Sequence, residues 1–198
     1  MNEKRTGADE DADLVSSCKK GDTDAFETLV KRHQKRMFNA AYRIAGDYNE
    51  ASEIVQDAFI SAYKNIRKFR EKAKFSTWLY TIVVNTSRNH LRQLNIRRSR
   101  EGLSLDDPIS AREGNDPVSD SPSAFDKLEQ KEMRQMVRQC MDTLGSEFRE
   151  VVVLRDISGF SYEEISDILK IPQGTVKSRI FRARDDLRRC LKKKMGKL

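Results

Sequence analysis

Apolar residues recur at a helical period along most of this 198-residue chain, and the period breaks at only a few places. From residue 22 to 45 the stripe is Phe26, Leu29, Val30, His33, Met37, Ala41 and Ile44, closed by a Gly-Asp pair at Gly46. From 50 to 67 the inward set is Ala51, Ile54, Val55, Ala58, Ala62 and Ile66, which leaves Glu50, Glu53, Gln56, Asp57 and Ile60 on the opposite face. From 75 to 94 it is Trp78, Leu79, Ile82, Val83 and Thr86, with Thr81, Asn85, Arg88 and Arg92 outward and "RQLNIRRSR" extending the basic side. These three segments predict a helical domain with one acidic and one basic face.

The stretch "GFSYEEISDILKIPQGTVKSRIFRARDDLRR", residues 159 to 189, carries the sharpest local signal. Ser161 and Glu164 have capping-box spacing, and Phe160 and Ile165 occupy the two positions of a hydrophobic staple. Gly159 supplies the break before them. Ile165, Ile168 and Leu169 follow at helical spacing, Pro172 ends that run, and a new period begins at Val176, Ile180, Ala183, Leu187 and Leu191. The pattern is a helix, a tight turn and a longer helix. With Val176 and Ile180 inward, Gly174, Ser178 and Arg182 face outward, flanked by Thr175, Lys177, Arg179, Phe181 and Arg184. A major-groove helix needs such a set: arginine bonds guanine bidentately, serine bonds base or phosphate, and Phe181 can touch a thymine methyl. Gly174 and Thr175 lie in the first turn, whose free amides can hold a phosphate. The plain alternative is a solvated basic face on a bundle helix. The cap, the break and the arginines opposite the apolar stripe argue against it.

Charge then marks the boundaries. The chain carries a net +7, with an isoelectric point near 9.3, which suggests an acidic partner, nucleic acid before anionic membrane. Residues 174 to 198 hold ten Lys/Arg against two acids, a local +8, whereas residues 101 to 125 hold six acids against Arg112 and three of the four prolines. That acidic, proline-bearing stretch reads as a flexible linker. The expected organisation is all-α, with helical domains over 12–95 and 126–192 and a linker over 96–125. No apolar run reaches membrane length, and the acidic "MNEKRTGADEDADL" is no signal peptide, so a cytoplasmic location is expected. Cys18, Cys140 and Cys190 have no ligand spacing and are expected to be reduced thiols. His33 sits on an apolar stripe and His90 at the edge of another, both placed for packing. No catalytic constellation, cofactor motif or metal site is visible, and an enzyme is the weakest class.

Two segments, "NEASEIVQDAFISAYKNIRKFREKAKFSTWLYTIVVNTSRNHLR" and "SYEEISDILKIPQGTVKSRIFRARDDLRR", resemble regions 2 and 4 of the extracytoplasmic-function (ECF) sigma factors, in family order around an acidic linker. These are bacterial subunits that give RNA polymerase its promoter specificity. The resemblance implies a stress-response sigma factor that binds core polymerase through the β′ clamp coiled coil and the β flap, and reads promoter DNA at two elements. It assigns polymerase binding to Glu50, Glu53, Gln56, Asp57 and Ile60. It assigns the minus-10 element to the loop Phe69, Arg70, Glu71, Lys72, Ala73, Lys74 and Phe75 with Asn85, Arg88 and Arg92 behind it. The minus-35 element falls to Gly174, Thr175, Lys177, Ser178, Arg179, Phe181, Arg182 and Arg184. It also implies a separate, membrane-associated anti-sigma partner. Two departures stand out: the family's loop commonly has Gly-Asp after Phe-Arg, where this chain has Glu71 and Lys72, and region 4 usually opens with Leu-Pro, where it has Leu144 and Gly145. A polymerase-independent helix-turn-helix repressor or activator is the alternative from another class. It would need a dimerisation or effector domain, and residues 22 to 94 show no long heptad seam.

Overall fold

The computed structural model of the chain describes residues 9–100 and 124–196, without the side chains of residues 98 and 124–131. Its first unit contains α1 (Ala12–Lys19), α2 (Thr23–Ala45), α3 (Tyr48–Asn65), a 3₁₀ turn at Ile66–Lys68 and α4 (Phe75–Arg100). Its second contains α5 (Ala124–Asp142), α6 (Ser146–Val152), a π-helical stretch at Val153–Ile157, α7 (Tyr162–Leu169) and α8 (Gln173–Met195). Among the described residues there is no strand, and the fold is all-α in two helical domains. Most of the expected linker, residues 101–123, lies outside the described residues; α4 runs through 96–100, which had been assigned to it.

Local chemistry fixes where the helices begin. Asp22 and Asp47 cap α2 and α3, each carboxylate accepting two backbone amides of its helix's first turn. Gly46 ends α2 at φ +81°, a left-handed conformation open to glycine at little cost, and so allows the immediate turn into α3. Ser161 accepts from the Glu164 amide at 3.1 Å while the Ser161 amide donates to Glu164 at 2.8 Å, so both halves of the capping box are made. The short α1 had no sequence forecast. Beneath it Asp11 is buried, accepting from Arg32 at 2.5 Å and lying 2.7 Å from His33 Nε2, which gives that ring nitrogen of the buried histidine a partner.

In α2 the expected residues Leu29, His33, Met37, Ala41 and Ile44 are buried, with Phe26 and Val30 half-buried, and in α3 the whole expected inward set is buried. Helix α4 departs from its forecast. It buries Phe75, Thr77, Leu79, Tyr80, Val83, Val84 and Ser87, leaving Trp78, Ile82 and Thr86 only half-buried. The cause is a second neighbour, because α4 is covered by α2 and α3 on one side and by α7 on another. Tyr80 meets Phe160 edge-on with ring centroids 4.8 Å apart.

The two domains therefore share a seam. Arg88 of α4 donates to Glu150 of α6 through Nε at 2.7 Å and Nη2 at 2.6 Å. Arg149 reaches the Ile44 carbonyl at 3.0 Å, and Arg138 reaches the Gly46 carbonyl at 3.2 Å with its guanidinium over the Tyr42 ring. These bonds satisfy C-terminal carbonyls of α2 that the helix itself leaves open. The cysteine forecast is corrected here: Cys140 of α5 and Cys190 of α8 form a disulfide, Cα atoms 5.7 Å apart, and only Cys18 keeps a free thiol. Packing of α5 against α8 brings together residues 50 apart in sequence, a juxtaposition that spacing alone does not reveal. Burial raises the Cys18 thiol pKa, Asp22 adds to the rise, and an inert core thiol results.

Candidate nucleic-acid interface

The recognition helix is held by its apolar stripe. Val176, Ile180 and Ala183 are buried against the α6–α7 side of the domain. Gly174, Lys177, Ser178, Phe181, Arg182 and Arg184 are exposed, Phe181 at 75% of its full area, while Thr175 and Arg179 are half-buried. The Phe181 ring stands in water at the centre of this basic face, placed where it can meet an apolar group of a bound partner. Gly174 has open space where a Cβ would be, so packing within the chain does not require a glycine there. Arg184 is held by Asp156, which accepts from its Nε at 3.1 Å and also from Nη2; that hydrogen-bonded pairing raises the arginine's pKa. Sequence reading missed Asp156, an exposed acid at the end of an apolar run.

The loop between α3 and α4 divides into two kinds of residue. Phe69 and Phe75 are buried, with Phe69 stacked on the half-buried Trp78 at 4.9 Å. Both phenylalanines are scaffold, and the surface offered to solvent is Arg70, Glu71, Lys72, Ala73 and Lys74. Glu71 sits at φ +55° and pairs with Lys19. That left-handed conformation costs a non-glycine residue about 1–2 kcal/mol. Behind the loop Asn85 and Arg92 are exposed, whereas Arg88 is half-buried and committed to Glu150, whose bond raises its pKa. Glu150 could have been suspected from the sequence, because a carboxylate beside the apolar run "VVVL" needs a cation.

The acidic face of α3 presents Glu53, Gln56, Asp57 and Ile60 to solvent, and Ile60 is 44% exposed. Glu50 is half-buried and pairs with His90 of α4. Glu50, Glu53 and His90 could together hold a metal ion, having ligand atoms within 4.8 Å of one another; the Glu50–His90 pair already satisfies both partners.

Comparison with known proteins bears on both faces. The family model described as sigma-70 region 2 matches residues 29–96, and that described as sigma-70 region 4 matches 134–187. The ECF RNA polymerase sigma factor SigW of Bacillus subtilis is 37% identical over 90% of this chain and 95% of its own. The chain belongs to the ECF sigma factors. The RNA polymerase sigma-H factor of Pseudomonas aeruginosa is 34% identical over 92% of this chain and 94% of its own. Among solved structures, the sigma factor RpoE of Bartonella quintana, crystallised with the anti-sigma factor NepR, shares the fold of this sigma factor at TM-score 0.64 and 25% identity. That match covers 84% of this chain and 96% of the other. In this sigma factor most of α2, all of α3 and α4 up to residue 96 lie within the region 2 match, and α6, α7 and most of α8 within region 4. The described residues include no helix long and apolar enough to cross a membrane.

Proposed function

We propose that this sigma factor binds core RNA polymerase and directs initiation at promoters whose minus-35 element is read by α8 and whose minus-10 element is engaged by the loop at 70–74 with α4. It acts in the cytoplasm without catalysis of its own, and an anti-sigma protein silences it. The observation that carries the reading is the α8 face: exposed Arg182, Ser178 and Phe181 lie opposite the buried Val176 and Ile180, in a helix-turn-helix with a complete capping box. Arg182 reaches a base edge, most simply guanine O6 and N7, while Lys177, Arg179 and Arg184 serve the phosphates on the groove walls. The loop at 70–74 with Asn85 and Arg92 holds the displaced strand, and Glu53, Gln56 and Asp57 meet a basic surface on the polymerase.

The same reading requires the chain to open. Arg88 bonded to Glu150 ties α4 of the first domain to α6 of the second, and simultaneous reading of two separated promoter elements is proposed to require release of that tie. Holoenzyme binding to promoters varied one base at a time tests the recognition face. Arg182→Ala should cost about 1–3 kcal/mol and relax preference at one position. Arg184→Ala should weaken all sequences alike and lower the salt slope by about one. Uniform loss in both variants would reduce the helix to a phosphate clamp.

A further inference from the structure

The disulfide lies beside the seam that must part. Cys140 is fully buried on α5, and its partner Cys190 is half-exposed near the end of α8. Two residues before Cys140, Arg138 crosses to the first domain, bonding the Gly46 carbonyl and covering Tyr42. Two residues after it, the Asp142 carboxylate would stand 3.4 Å from a Cβ at Gly46, and the Asp142 carbonyl accepts from Arg149, another arginine of the seam. The covalent bond thus pins to the recognition helix the turn of α5 that grips the end of α2. Without it, among the described residues, α5 is held to this part of α8 by side-chain packing and the exposed hydrogen bond from Lys194 to Gln139 at 2.6 Å.

We propose that Cys140–Cys190 is a reversible redox latch, closing the sigma factor when oxidised and permitting it to open when reduced. This rests on the reading that opening is needed to reach both promoter elements. Disulfides in a reducing cytoplasm are usually transient and redox-sensing, and the accessible sulfur here is the one a reductant can attack. A low-molecular-weight thiolate attacks Cys190 Sγ, breaking the S–S bond and forming a mixed disulfide while Cys140 leaves as thiolate and takes a proton. A second thiolate attacks the sulfur of the first and releases Cys190 as a thiolate that takes a proton, so one protein disulfide becomes two thiols and two reductant thiols become one disulfide. Oxidation by a disulfide of the same class reverses the sequence. The structure assigns Cys18 no part, since it is buried and remote in sequence from both.

The test uses the full chain with Cys18→Ser, so that only the latch cysteines remain. Small-angle scattering of the free protein, with bond state verified by mass spectrometry, should show a compact particle when oxidised and a clear rise in radius of gyration with dithiothreitol. Cys140→Ser/Cys190→Ser should match the reduced form with or without reagent, and circular dichroism should show that it retains its helix content. Core polymerase should bind the reduced form at least fivefold faster. Equal radii in both verified redox states, or failure of the bond to form with oxidised glutathione, would overturn the latch. Radii that change as expected while no promoter is used in either state would leave the latch standing and remove the promoter reading.

Discussion

Single residues in this sigma factor show which positions the fold requires and which it leaves to a partner. Glu71 stands in a left-handed conformation that glycine would take at lower cost, and the fold tolerates it while Lys19 holds its carboxylate. Gly174 is the reverse case: its backbone is ordinary, nothing surrounds its α-carbon, and alanine would favour the helix. The proposed close approach of a phosphate to the first turn of α8 supplies an outside reason for a glycine where the fold has none. Gly174→Ala should therefore leave the melting temperature unchanged or slightly raised, while promoter affinity falls severalfold. Thermal melts and promoter titrations on the same preparation check both halves, and unchanged DNA affinity would remove the close approach.

Among whole elements, legibility followed how much of the buried surface lay on a single stripe. Helices α2, α3 and α8 each bury one principal stripe, so a single period revealed their inward residues, down to Val176, Ile180 and Ala183. Helix α4 packs on two sides, and a stripe drawn for one side assigned Arg88 to solvent when α6 in fact holds it. The resemblance assigns Phe69 and Phe75 to the minus-10 loop together with the basic residues between them, and both rings are buried in the core beneath the loop. The disulfide was illegible for a related reason, since it depends on how α5 and α8 meet. Helix α3 allows a direct test because its acidic face is free of the fold: Glu53 and Asp57 are exposed and have no ion pair among the described residues. Glu53→Arg or Asp57→Arg should preserve helicity and weaken core polymerase binding at least tenfold, with the loss shrinking at high salt. Equilibrium binding to core polymerase at two salt concentrations decides it, and unaltered affinity in both reversals would place the interface elsewhere.

For the molecule as a whole, one seam joins the two domains, and the proposed reading of two promoter elements requires it to give way. Glu150 is nearly fully buried and carries a charge that Arg88 alone neutralises among the described residues. Breaking such a pair by removing one partner can cost about 3–5 kcal/mol, whereas Glu150→Gln keeps the shape, removes the charge and weakens only the tie to Arg88. That variant should expand the free particle and speed promoter engagement in holoenzyme, because Arg88 is released toward the DNA. Slower engagement would mean that Glu150 holds α6 in a form the promoter complex needs. Beneath this stands the claim that the chain gives polymerase its promoter choice. Its most direct test is transcription by core RNA polymerase, with and without the reduced full-length chain, from a library randomised over the minus-35 and minus-10 elements. The account predicts transcripts that depend on the added chain, from templates sharing both elements at one fixed spacing. Transcription indifferent to the chain, or selection of a single element without spacing, would contradict it.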